Sequence, residues 1–206
     1  GSFLQERVAQ GGGWMVWHGR LGLAVVGLLA FRLVWGFIGS SHARFAAFFP
    51  TPGKIAAYLR GEWQGVGHNP LGALSVFALL GLLAFQVASG LIANDDIAFN
   101  GPLYPLIEKA LSDAATGWHR LAVNVLYLLL ALHIAAIAFY ARFKRQNLVR
   151  PMITGWHEGP AEHEGRGGGG LAFVCALIIA LGVTGAASGV WIPSPAPQAP
   201  APAMDW

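Results

Sequence analysis

The sequence predicts an all-α integral membrane protein, and three observations carry that prediction. Only 11% of the 206 residues are charged while 55% are hydrophobic, where a soluble domain carries about a quarter charged. Four stretches, about 17–39, 70–93, 117–141 and 170–192, are apolar over the roughly 20 residues a helix needs to cross a 30 Å hydrocarbon core. Nowhere does the chain show the alternating runs of about ten residues that mark a transmembrane β-barrel, so helices must satisfy the backbone in lipid.

Each element follows in order. The first span, "WHGRLGLAVVGLLAFRLVWGFIG", ends in a polar, aromatic-rich connection, residues 40–69. Within it "GKIAAYLRGEW" suits a short interfacial helix with Ile55, Tyr58 and Leu59 toward lipid. The second span opens on "HNP", in which Asn69 before Pro70 has the form of a helix cap. Residues 94–116 are expected to hold another short helix around "YPLIEKALSDA". The third span, "GWHRLAVNVLYLLLALHIAAIAF", is followed by basic residues and then by "HEGPAEHEGRGGGG", a flexible linker by composition. The fourth span contains "GAASG", a G-x-x-x-G match that suits a packing face. The tail "PSPAPQAPAPAMDW" is too rich in Pro and Ala for a packed core. Trp14, Trp17, Trp118 and Trp191 fall at span ends, where indole favours the membrane–water interface.

Charge sets an expected orientation. Arg44, Lys54 and Arg60 follow the first span, and Arg142, Lys144, Arg145 and Arg150 the third, whereas Asp95, Asp96, Glu108 and Asp113 lie between the second and third against one Lys109. The positive-inside rule makes the basic loops cytoplasmic and the acidic loop and C-terminus external. The net charge of +3 thus reflects topology and not a nucleic-acid partner. The lone Cys175 excludes an intrachain disulfide, and there is no C-x-x-C-H for covalent haem attachment. The start "GSFLQERVAQGGGW" has neither an initiator Met nor a signal pattern and is expected to be a loop entered from something upstream.

Chemistry concentrates in the histidines. His119 and His133 are fourteen residues apart, which returns them to one helix face about 21 Å apart along the axis, one in each leaflet. Intramembrane ionisable groups are costly and usually functional, and neutral imidazole is a common ligand of metals and haem iron. The plainer alternative is a pair of packing histidines hydrogen-bonded to neighbouring helices. His18 lies at the outer end of the first span at the depth expected for His119, as bis-histidine ligation of a haem requires. Gly19 and Gly22 beside it leave room for a flat macrocycle, or for close helix packing.

His133 has no matching partner: the first span carries Arg32 fourteen residues beyond His18. Arg32 either snorkels to the interface or stands as counter-ion to a haem propionate. His68, before the second span, either belongs to the cap or reaches a haem. His42 is expected in a solvated loop, or against a propionate or quinone headgroup. His157 and His163 are expected in the solvated linker, with metal scavenging as a weaker alternative.

The stretches "WHGRLGLAVVGLLAFRLVWGFIGSSHARF", "GHNPLGALSVFALLGLLAFQVASGL", "WHRLAVNVLYLLLALHIAAI" and "QNLVRPMITG", in this order over roughly residues 14–156, resemble the bacterial cytochrome b561 family. That family includes the b-type cytochrome subunits of membrane nickel–iron hydrogenases. The resemblance implies a four-helix bundle with two b haems, one near each face, passing electrons between a partner and quinone in the bacterial inner membrane. It implies His18 and His119 as ligands of one haem and His133 as a ligand of the other. The family's first helix, with its own histidine, has no counterpart here, which accounts for the unpartnered His133. It suits a truncated product, an incomplete sequence or a helix supplied separately.

The expected organisation is a cytochrome-like membrane domain over residues 1–156, a cytoplasmic Gly-rich linker over 157–170, an added span over 171–192 and a tail over 193–206. The expected function is electron transfer through one or two haem b groups, the outer site having both ligands in this sequence. Quinone, a c-type cytochrome or a hydrogenase-like subunit would be the redox partner, alongside membrane lipid. The chain is an electron carrier in this reading, and an enzyme only if it oxidises or reduces quinone itself. Two other readings are a haem-free anchor of a redox complex and a divalent-metal transporter, the latter weakened by spans devoid of Asp and Glu.

Overall fold

The computed structural model describes residues 13–65, 69–97, 99–145, 147–150 and 167–193. Among these, four helices are long and apolar enough to cross a membrane: α1 (Gly13–Ile38), α4 (Pro70–Ile92), α5 (Lys109–Arg142) and α6 (Gly169–Ala187). Two short helices, α2 (Phe45–Phe48) and α3 (Pro52–Leu59), fill the connection after α1. The chain is a multi-pass, all-α membrane protein. Residues 157–166 of the expected linker, with His157 and His163, and the Pro/Ala-rich tail after residue 193 lie outside the described residues, while Gly169 and Gly170, expected in the linker, begin α6.

The helices alternate in direction, and contacts at their ends fix this. The second turn of α1 meets the N-terminal third of α5 through His18 and His119. A Cβ on Gly19 would touch Phe99 of the acidic loop, and one on Gly168, before α6, would touch Trp35 and Gly39 at the far end of α1. One end of the bundle therefore carries the acidic loop and the other the basic connections; these are called the acidic and basic sides below. Laterally α6 packs on α1, α1 on α4, and α4 on α5.

Small residues make these contacts. Ala73, Ala115, Ala122, Ala176, Ala180 and Ala187 are buried, while Leu28, Leu121 and Leu171 point outward. That is the pattern of helices which must associate without a hydrophobic driving force and so approach closely. On α6 the packing face differs from expectation. The Cβ of Gly185 would meet nothing, whereas a Cβ on Gly27 of α1 would lie 2.7 Å from Thr184 Oγ1. The seam thus runs along Ala176, Ala180 and Thr184, a four-residue repeat of small side chains, and not along the G-x-x-x-G. Its second glycine, Gly189, instead ends the helix at φ +66°, where a Cβ would collide with the Pro102 carbonyl. This stops α6 at Ala187, five residues short of the expected span end.

The acidic loop also departs from expectation. Among the described residues of this loop the one helical element before α5 is a 3₁₀ turn, Tyr104–Leu106, and α5 then runs unbroken for 34 residues, about 51 Å. Its first two turns project beyond the apolar stretch that starts at 117. A clasp to the end of α4 holds them. Buried Ser112 donates to the Ile92 carbonyl at 2.7 Å and accepts from Asn94 Nδ2 at 2.6 Å. Asn94 Nδ2 also donates to Asp113 at 2.8 Å, and the Asn94 backbone exchanges two hydrogen bonds with Thr116 Oγ1.

On the basic side Asn69 caps α4 as expected, its Oδ1 accepting from Gly72 N at 2.7 Å with Pro70 in the first turn. Helix α3 forms where expected, with Thr51 as N-cap and Leu59 exposed. Tyr58 corrects the sequence reading: it turns from lipid to share a hydrogen bond with Tyr140 of α5, which also accepts from Asn69 Nδ2 at 3.1 Å.

Candidate haem-ligand histidines

The bundle brings together the two histidines that the sequence places at one depth. His18, one turn into α1, and His119 of α5 have ring centroids 5.9 Å apart and planes at 89°. His18 is exposed and His119 half-buried. A shallow groove of about 470 Å³, lined by Trp14, Trp17, His18 and Leu21, runs beside the first ring.

His119 is held by α4. Its Nδ1 lies 2.9 Å from the Gln86 carbonyl and 3.3 Å from Ser89 Oγ. The Ser89 hydroxyl donates to Phe85 O at 2.8 Å, leaving only a lone pair toward the imidazole. Both neighbours of Nδ1 are therefore acceptors, and the proton must sit on Nδ1. Nε2 then keeps its lone pair, and the Gln86 side-chain amide donates to it at 3.1 Å. The other end of that amide, Gln86 Oε1, is buried with no partner among the described residues. Gly90 permits the approach, since a Cβ there would stand 2.9 Å from His119 Cε1.

His133, half-buried, also turns to α4: its Nδ1 is 3.1 Å from Ser75 Oγ. Arg32 does not face it. Its guanidinium donates to the Ala43 carbonyl at 3.4 Å and lies over the Phe45 ring, 4.9 Å from the centroid, so its contacts are with the connection after α1. His42 is exposed in that connection. His68 lies outside the described residues.

Ser75, Gln86, Ser89 and Gly90 escaped the sequence reading, though a signal was present. Ser75, Gln86 and Ser89 are the only polar side chains in "PLGALSVFALLGLLAFQVASGLI", and the serines stand fourteen residues apart, the spacing of His119 and His133. On antiparallel helices that equality puts one serine opposite each histidine.

The geometry suits a haem iron between His18 and His119. With a metal–imidazole bond of about 2 Å plus the distance from nitrogen to ring centre, two axial imidazoles have centroids roughly 6 Å apart, close to the 5.9 Å observed. An unsatisfied amide oxygen beside Nε2 costs about 1–3 kcal/mol, as in a site not completed by protein alone. A Cβ on Gly22 would meet nothing within 4 Å, in line with room for a macrocycle; Gly19, by contrast, is covered by the Phe99 ring and leaves none.

The family model for prokaryotic cytochrome b561 matches residues 2–155, stopping before α6. Among similar proteins are two described as probable Ni/Fe-hydrogenase B-type cytochrome subunits, from Azotobacter chroococcum mcd 1 and Azotobacter vinelandii. Each is 27% identical over 148 residues, covering 61% of this chain and 60% of the relative. The chain thus spans about three fifths of the length of these relatives. No solved structure gives a significant match.

Proposed function

The chain belongs to the prokaryotic cytochrome b561 family, which implies haem b, and from that premise we propose that it is a membrane electron-transfer cytochrome with haem b held between His18 and His119. The observation that carries this is the 5.9 Å approach of the two rings, joined by a hydrogen-bond network that puts the His119 proton on Nδ1 and leaves Nε2 as the acceptor, met by the displaceable Gln86 amide. A haem bound there supplies a one-electron ferric/ferrous couple whose potential is set by its axial ligands, their hydrogen bonds and burial.

His133 is proposed to ligate a second haem toward the basic side. Among the described residues no histidine within a span partners it. His68, seven residues before Ser75, is the candidate second ligand in this chain, since Asn69 supplies the α4 cap. Arg32 gives one of its N–H donors to the Ala43 carbonyl and would serve a propionate with the others. The relatives' names support a hydrogenase-like subunit as one redox partner; quinone or a c-type cytochrome would complete the relay. Membership of a prokaryotic family supports a bacterial inner-membrane location, and the distribution of Lys and Arg supports the basic side as cytoplasmic.

Pyridine haemochrome spectra with protein quantitation test this on the wild type, His119→Ala and His133→Ala. The expected result is b-type haem, with each variant losing the haem on its own side. Unchanged haem content in His119→Ala overturns the ligand assignment, and a wild type without haem favours a haem-free anchor.

A further inference from the structure

Helix α4 contributes no histidine among its own residues, yet both intramembrane histidines of α5 turn their Nδ1 atoms to it. The contact repeats at a fixed register: Ser89 opposite His119, Ser75 opposite His133. Two serines in a helix otherwise almost wholly apolar, each meeting the same atom of a different imidazole, are more than packing needs.

We propose that α4 is the positioning helix of both haem sites, with Ser89 and the Gln86 carbonyl fixing His119, and Ser75 fixing His133, so that each imidazole presents Nε2 to iron. The inference rests on the haem-ligand reading above and deepens it. At His119 the tautomer follows from the acceptors: the Ser89 proton goes to the helix carbonyls of Phe85 and Gln86, so the imidazole must donate. The Gln86 amide, donating to Nε2 at 3.1 Å, marks the ligand position and would have to give it up for His119 to hold an iron there. At His133 the Ser75 hydroxyl is the polar neighbour of Nδ1, and ligation through Nε2 would leave Nδ1 as the donor.

The two positions differ in a way that can be measured. An acceptor on Nδ1–H raises the basicity of a metal-bound imidazole and so favours ferric iron. Removing it raises the midpoint potential. His119 keeps the Gln86 carbonyl at 2.9 Å when Ser89 is lost, whereas no second acceptor at His133 Nδ1 stands among the described hydrogen bonds. Ser75→Ala should therefore shift its haem further than Ser89→Ala shifts the other.

The test is a spectroelectrochemical titration of the purified full-length protein, as wild type and as Ser75→Ala, Ser89→Ala and Ser75→Thr, with haem per chain measured on each. Expected are an upward shift confined to one haem in each alanine variant, larger for Ser75→Ala, and recovery in Ser75→Thr, which restores a hydroxyl. Loss of the corresponding haem in an alanine variant that stays monodisperse, with retention in Ser75→Thr, also supports the proposal, because outer-shell partners typically carry about 10–100-fold in metal affinity. Haem-loaded alanine variants with unshifted potentials overturn it while leaving the ligand reading intact. A wild type without haem fails the ligand reading, and this proposal with it.

Discussion

Gly90→Ala is the smallest change that reaches the His18–His119 site, and its effect can be worked from distances. The added Cβ would stand 2.9 Å from His119 Cε1 and 3.1 Å from Nδ1, against about 3.5 Å or more for a relaxed contact. The ring must retreat by roughly 0.5 Å. Its Nδ1 bond to the Gln86 carbonyl, 2.9 Å long, then stretches to the edge of hydrogen bonding. In the haem-free chain the imidazole can swing away; bound to iron, it is pinned. The strain therefore appears in haem affinity more than in folding. Overpacking of this kind costs about 1–3 kcal/mol, equivalent to roughly 5- to 150-fold weaker binding.

Gly81→Ala is the matched control, since a Cβ there meets nothing within 4 Å. Both changes raise helix propensity by up to about 1 kcal/mol, so the folding gain cancels in the comparison. The assay is haem titration of the purified apoprotein followed by Soret absorbance, with low-spin character checked by electron paramagnetic resonance. Gly90→Ala binding haem as tightly as Gly81→Ala, with an unchanged spectrum, would refute the claim that α4 fixes the ring.

Three further outcomes are expected. Ser112→Ala strands the Ile92 carbonyl and one Asn94 N–H at a fully buried point, so thermal unfolding in detergent should show a loss of about 1–3 kcal/mol; an unchanged melting temperature sinks the clasp. The Asp113 carboxyl is held below the usual range, first by the Asn94 amide and then by Lys109. Its contribution is therefore full above the ordinary carboxylate pKa and lost as pH falls through the lowered one; the acid-side fall in melting temperature should shrink in Asp113→Asn. Gly27→Cys with Thr184→Cys, in a Cys175→Ser background, should form a disulfide on mild oxidation. The Cβ built on Gly27 lies 4.0 Å from Thr184 Cβ, within the 3.5–4.5 Å such bonds span; no cross-link would mean α6 does not pack on α1.

The spans were legible because the bilayer imposes a length and a composition that twenty residues either meet or miss. The His18–His119 pair was legible for a related reason: depth in a membrane is close to a coordinate along the chain, so residues on antiparallel helices can be matched by counting. Lateral contacts follow no such count. The G-x-x-x-G of α6 named the wrong seam because small residues also run along Ala176, Ala180 and Thr184, and the choice between stripes depends on the facing Gly27. Tyr58 was placed in lipid because its partner, Tyr140, lies 82 residues away. The helix expected around residues 104–114 merged with α5 because its second half belongs to the clasp, whose other members close α4.

A bundle assembled through alanine and glycine has little side-chain mass with which to wedge an imidazole in place. Direction must then come from hydrogen bonds, and in an apolar span each polar atom has few alternatives. At His119 that scarcity is what makes the tautomer decidable: with Phe85 O and Gln86 O taking the Ser89 proton, the acceptors around Nδ1 leave a single consistent assignment. The same scarcity leaves Gln86 Oε1 without a partner among the described residues, because the apolar neighbours of the amide that reaches Nε2 have nothing to offer its other end. One residue thus completes the histidine's hydrogen bonding and is itself left incomplete. Displacing its amide from Nε2 therefore gives up one hydrogen bond and frees a stranded carbonyl, so exchange of amide for iron is opposed by less than the breaking of a fully satisfied pair.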